Sequence, residues 1–247
     1  MKLNVLATAL LGSMLTFNSV AAEMSKTEQA NIEKIVHQYL VSHPEILIEM
    51  SNALRAKQET QQADTDKNLL QQHANQIFKQ VDDPVTGNPQ GTLTVVEFVD
   101  YNCGYCKRSA PLVQELLKKD KEIRYIYKEF PILSDTSVYA SKAALAVNAV
   151  EPAKYEAFHN ALMAHPGALK SNDDVMNVAK KQGLDWSKIV AKINDPAIDK
   201  KIATNHAIAQ TLNITGTPAF IIGDQLLRGA PQSLEMLEES IKQARSK

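Results

Sequence analysis

The chain has 247 residues, 44% of them hydrophobic, with 27 Lys and Arg against 28 Asp and Glu. That near-balance excludes nucleic acid or an anionic membrane as a partner recognised through bulk charge, and the length holds one substantial core plus an appendage. Six histidines are scattered, none at the i, i+4 spacing of a helical zinc site, so they are read as surface or packing residues and no metal site or cofactor is assigned.

Residues 1–22 carry Lys2, an apolar stretch from Val5 to Phe17, and small residues at Val20-Ala21-Ala22. This is the pattern of a secretory signal peptide cleaved after Ala22, with retention as a single N-terminal anchor as the alternative. The apolar run is short and interrupted for a membrane span. Export puts the two cysteines in an oxidising compartment.

Residues 23–81 read as helical. Ser25 with Glu28 forms a capping-box pattern, followed by Ile32, Ile35, Val36, Tyr39 and Leu40 at one-face spacing. Ser42 with Glu45 repeats the pattern, with Pro44 in the first turn and a stripe of Ile46, Leu47, Met50 and Leu54. From Arg55 to Lys79 the chain is polar and Gln-rich, without Gly or Pro, so an extended helix or helix pair is expected. Two short amphipathic helices must bury their stripe on something. A second copy of the chain is the favoured partner, giving a homodimer or homotrimer; the chain's own globular domain is the alternative. Glu33, Glu45 and Glu49 on the polar face argue against a membrane surface.

Asp83-Pro84 and Thr86-Gly87-Asn88-Pro89 are turn chemistry, and a catalytic domain is assigned to 82–247. Thr92–Val99 and Ile123–Phe130 read as strands with a helix between them, a βαβ unit. Residues from about 136 to 212 read as several helices, capped at Ser171, Asp185 and Asp195. A hairpin follows, Ala219–Ile222 and Gln225–Arg228 around Gly223-Asp224, then an amphipathic helix through Leu234, Leu237 and Ile241.

Cys103-Gly-Tyr-Cys106 holds the chain's only two cysteines, at the junction of the first strand and its helix. A bridge across so short a loop stabilises a fold by about 2 kcal/mol, a weak reason to place it there. A thiolate at a helix N-terminus is instead stabilised by free N–H groups and the helix dipole, which pull its pKa from about 8.5 into the reactive range. Six residues earlier, Glu97 interrupts an apolar strand where alternation asks for Val or Ile, and Lys128 interrupts the next strand. Either both are buried for a purpose, or both reach the sheet edge.

Strand, CxxC, helix, strand, helical block, then Thr217-Pro218 opening a hairpin and a last helix: over residues 85–245 this order resembles an α/β thioredoxin fold of the DsbA-like type with a helical insertion. The resemblance implies that Cys103 is the exposed nucleophile, Cys106 the resolving thiol, Pro218 a cis-proline facing the sulfurs and Thr217 the residue before it. It also implies that Glu97 and Lys128 are a buried acid and lysine beneath the resolving cysteine. Gly104-Tyr105 and Thr217 resemble the loops of DsbC-type isomerases. Tyr39-Leu40 and His43-Pro44-Glu45-Ile46-Leu47 resemble the oligomerisation segment of suppressor-of-copper-sensitivity C proteins and bifunctional dimeric DsbA-like enzymes. The implied function is a periplasmic thiol–disulfide oxidoreductase that isomerises or forms disulfides in exported proteins, served by a membrane redox partner. The alternatives are a copper(I)-binding protein that uses the CxxC and a chaperone-like assembly.

Overall fold

The computed structural model describes residues 24–246, and the signal-peptide expectation for 1–22 lies outside them. The chain divides into two compact units, Met1–Ala56 and Lys57–Lys247. In the first, helix α1 (Lys26–Ser42) starts on the expected capping box: the Glu28 N–H donates to Ser25 Oγ at 3.3 Å, and the Ser25 N–H donates to Glu28 Oε2 at 2.9 Å. Helix α2 (Glu45–Gln72) follows after Pro44 and is continuous across the Gln-rich stretch. No residue of α1 is buried, and Ile32, Ile35, Val36, Tyr39, Leu40, Leu47, Met50 and Leu54 are all exposed.

In the second unit, α3 (Ala74–Phe78), β1 (Val85–Gly87), β2 (Leu93–Val99), α4 (Gly104–Lys119) and β3 (Ile123–Glu129) come first. Five more helices fill the insertion: α5 (Asp135–Val150), α6 (Tyr155–Met163), α7 (Asn172–Lys181), α8 (Trp186–Ile193) and α9 (Pro196–Thr211), with a 3-10 turn at Pro152–Lys154. The hairpin β4 (Ala219–Ile222) and β5 (Gln225–Arg228) and helix α10 (Leu234–Arg245) close the chain. The sheet order is β1-β3-β2-β4-β5; β2 and β3 are parallel through the α4 crossover, and the other pairs are antiparallel.

The parallel register pairs Glu97 with Tyr127, Phe98 with Lys128 and Val99 with Glu129. Because side chains alternate across a sheet, one face carries Val95, Glu97, Val99, Tyr125, Tyr127 and Glu129. Most of these pack in one core with both cysteines, α4, α10 and the helical insertion. The other face carries Val96, Phe98, Ile126 and Ile221 against Ile208 and Leu212, and also against Leu70 and Ile77.

Two readings change. The compact unit begins at Lys57, not at residue 82, because Leu70 and Ile77 are buried in its core and Asp66 takes both Arg228 Nη groups, at 2.7 and 2.8 Å. The stretch around Thr86-Gly87 is not only a turn but strand β1, paired with the edge of β3. Gly87 (φ 69°) is required there, since a Cβ would lie 2.6 Å from the Ile123 carbonyl oxygen.

Candidate functional site

The β2–α4 junction is built around Asp100. Its fully buried carboxylate accepts the Asn102 N–H at 2.8 Å and those of Ile132 and Leu133 at 2.8 and 3.0 Å. Asn102 then ties the junction to the insertion, with Oδ1 accepting the Leu169 N–H at 2.7 Å and Nδ2 donating to Thr136 at 2.9 Å. Cys103 is thereby fixed as the N-cap of α4, its N–H on the Asp100 carbonyl at 3.0 Å.

Thr217–Pro218 is a cis peptide, and it faces this N-cap. Cys103 Sγ donates to the Thr217 carbonyl oxygen at 3.1 Å. A groove of about 270 Å³ beside it is lined by Tyr105, Ile214, Thr215, Gly216, Thr217, Pro218 and the start of the β5–α10 loop. Cys103 is 7% exposed and Cys106 is 1% exposed. Cys103 is therefore less open than a helix start suggests, because the Thr217-Pro218 loop covers it from one side.

The two thiols, both free, are driven in opposite directions. Hydrogen bonding from Cys106, aided by the Thr217 side chain and the backbone N–H groups of Tyr105 and Cys106, pulls Cys103 down to about 5 against the opposing effect of burial. Burial, the hydrogen bond with Cys103 and the charge of Glu97 push Cys106 far up. The arrangement is one thiolate at neutral pH beside one shielded thiol.

Glu97 lies on the cysteine face, 3% exposed, and accepts the Tyr125 hydroxyl at 2.6 Å. Burial raises its pKa to about 8. Lys128 is not brought together with it. It points to the opposite face, where its ammonium pairs with Asp83 and donates to the Gln76 carbonyl at 3.1 Å, with Lys201 on the same carboxylate. The expectation of a lysine beneath the resolving cysteine is corrected: the parallel register turns Lys128 away, and Tyr125 is the β3 residue that touches Glu97. Lys107, whose ammonium donates to the His165 carbonyl at 2.8 Å, is likewise turned away, and Arg108 lies over the Tyr105 ring at 4.1 Å.

Sequence reasoning missed a second buried glutamate. Glu129, fully buried on the cysteine face, accepts hydroxyl protons from Tyr101, Tyr155 and Ser141, and Tyr101 also meets His159. The signal was available in the alternation of β3, which puts Tyr125, Tyr127 and Glu129 on one face.

A parallel β2-α4-β3 unit with a cysteine pair at its helix start, facing a cis-proline hairpin, defines a thioredoxin fold with a dithiol site. Residues 94–242 match the DSBA-like thioredoxin domain, and the chain belongs to that family. Residues 28–61 match the N-terminal domain of the copper resistance protein ScsC. A thioredoxin-like oxidoreductase from Silicibacter pomeroyi is 39% identical, with 70% of this chain and 98% of that chain covered and a TM-score of 0.66. Proteus mirabilis ScsC in a transitional conformation is 30% identical, with 90% and 99% covered and a TM-score of 0.68. A Na(+)/H(+) antiporter NhaA 3 from Salinispora tropica is 31% identical over 163 residues, 66% of this chain. This chain spans only 24% of that antiporter's length. Among the described residues no helix is long and apolar enough to cross a membrane.

Proposed function

We propose that this chain is a periplasmic thiol–disulfide oxidoreductase acting on exported proteins, and that its working direction is isomerisation. The observation that carries the reading is the geometry of the pair: Cys103 caps α4 beside the cis Thr217–Pro218 peptide while Cys106 is buried behind it, an arrangement that pulls the Cys103 pKa down to about 5 and pushes that of Cys106 far up. A thiolate already formed at neutral pH attacks a substrate disulfide at Cys103 without waiting for a base. The mixed disulfide then has two exits. A substrate thiol displaces Cys103 and the substrate is rearranged, or Cys106 passes its proton to Glu97, attacks Cys103 and releases reduced substrate. The groove beside Thr217-Pro218 suits an extended substrate segment lying across the sulfurs. In the oxidising direction the Cys103–Cys106 bond starts intact and a substrate thiolate attacks Cys103. A membrane redox partner would keep the pair in the state the direction requires.

The exposed stripe of residues 32–54 supports self-association through a second or third copy, as does the match of that segment to the ScsC N-terminal domain. Copper(I) held by the two thiols is the second reading, motivated by the name of that domain. The matched segment contains neither cysteine, and among the described residues no group of three or more His, Cys, Asp and Glu converges as a metal site. Insulin reduction and unscrambling of a multi-disulfide protein, run beside copper(I) titration of the reduced chain, separate the readings. Turnover in both assays with weak copper binding supports the enzyme; tight copper binding with no turnover overturns it.

A further inference from the structure

Glu129 ends β3 two register positions beyond the Glu97·Tyr127 pair and so on the same face as Glu97. Its partners are all hydroxyls: Ser141 on α5 at 2.7 Å, Tyr101 at 2.8 Å and Tyr155 on α6 at 3.1 Å. The Tyr101 oxygen also lies 3.0 Å from His159 Nδ1. Tyr101 has one proton to give. When it donates to an ionised Glu129, the histidine must donate to Tyr101; when Glu129 is protonated, both bonds can reverse. The cluster therefore accepts or releases a proton with no heavy atom moving.

Hydroxyls satisfying a buried carboxyl would serve as well for packing if the residue were Gln, so the charge needs its own reason. The titratable and charged groups that face Glu129 are Glu97 and Asp100 from β2 and its end, Tyr101, Tyr127 from β3, and Tyr155 and His159 from α6. Burial holds Glu129 near 7 and His159, kept neutral, near 3. The Glu129 charge is among the causes that raise Glu97.

We propose that Glu129 is a positioning residue for the resolving step: its charge sets the basicity of Glu97, and so the pH at which Cys106 gives up its proton. This rests on the thiol–disulfide reading above. In that step the Cys106 proton goes to the Glu97 carboxylate and the Cys106 thiolate attacks Cys103. The Cys103–Cys106 bond forms and the Cys103–substrate bond breaks. The substrate sulfur leaves as a thiolate and is protonated by water, so the dithiol is oxidised and the substrate reduced by two electrons. An ionised Glu129 on the same face of the neighbouring strand makes Glu97 hold a proton to higher pH, as two coupled buried acids must.

The test is single-turnover release of glutathione from the full chain carrying Cys103 as its glutathione mixed disulfide, followed from pH 5 to pH 9. In Glu129→Gln the midpoint of the rate–pH profile should fall by about 1 unit, the order of coupling expected of buried carboxylates on one face of adjacent strands. Tyr101→Phe keeps the acid but removes one donor to its ionised form, and should move the midpoint the same way by less, which covers a Glu129→Gln chain that fails to fold. A purely structural role would lower the melting temperature and leave the midpoint in place. Folded variants whose profiles superpose on the wild type overturn the proposal. A wild-type chain that releases no glutathione at any pH overturns the thiol–disulfide reading with it.

Discussion

The Tyr125 hydroxyl donates to Glu97 at 2.6 Å, within the fully covered face of the sheet that also carries Cys106. A hydrogen bond to an ionised carboxylate is worth about 1.5–3 kcal/mol, and it opposes the burial that raises Glu97. Tyr125→Phe removes it without changing the ring. Glu97 should then hold its proton to higher pH, and the rise of Cys106-dependent product release should move up by about 1–2 pH units. This is opposite in sign to Glu129→Gln, and stopped-flow release measured on both variants checks the pair.

Glu97 also links stability to pH. Its folded pKa of about 8 stands above the ordinary carboxyl value of 4.5, so the folded state binds the extra proton between the two. The stability it contributes is fully present below about pH 4.5 and is lost as pH rises through 8. Glu97→Gln should therefore gain on the wild type steadily between pH 5 and pH 8, as followed by urea unfolding at each pH. A difference that is flat across that window contradicts an acid buried at this site.

The Thr217 carbonyl accepts the Cys103 thiol, and the Thr217 hydroxyl, buried and without another partner, is placed to donate to the Cys103 thiolate once it forms. The side chain favours the thiolate. Thr217→Val keeps the shape and the carbonyl. It should raise the Cys103 pKa by up to about 1 unit and change the lifetime of mixed disulfides about two- to tenfold, with the fold intact. Absorbance of the thiolate against pH and quench kinetics read both quantities.

The N-terminal stripe predicts oligomerisation, and the packing of α2 and α3 says where to cut. A chain beginning at Lys57 should be a folded monomer that still reduces insulin but no longer unscrambles a multi-disulfide substrate, since repeated exchange needs several sites around one substrate. A chain beginning at Asp82 also loses the buried Leu70 and Ile77, about 3–6 kcal/mol of burial, and should melt markedly lower. Light scattering, the two assays and thermal unfolding test it; a monomeric full chain ends the oligomer reading.

Much of this fold was legible because its signals are local. Ser25 and Glu28, Ser171 and Asp174, and the Gly223-Asp224 hairpin each announce an element within a few residues. The cysteine pair and Thr217-Pro218 came from motif and order, although 114 residues separate Cys103 from Thr217. What failed was register. Glu97 and Lys128 look alike as charges in apolar strands, but facing is set by pairing, and a one-residue offset sends a side chain to the other face. Lys128 sits opposite Phe98, Glu97 sits opposite Tyr127, and the hydroxyl that reaches Glu97 is that of Tyr125. Likewise β1 is a three-residue strand whose pairing comes from β3, and turn residues conceal it.

The division of labour between the cysteines is the centre of the account. The most direct test is to react Cys103→Ser and Cys106→Ser chains with a disulfide-bonded substrate at pH 6 and map trapped adducts by mass spectrometry. Cys106→Ser should accumulate a mixed disulfide on Cys103, while Cys103→Ser should form none, its remaining thiol being buried and held protonated. A mixed disulfide on Cys106, or equal trapping by both chains, would contradict the account.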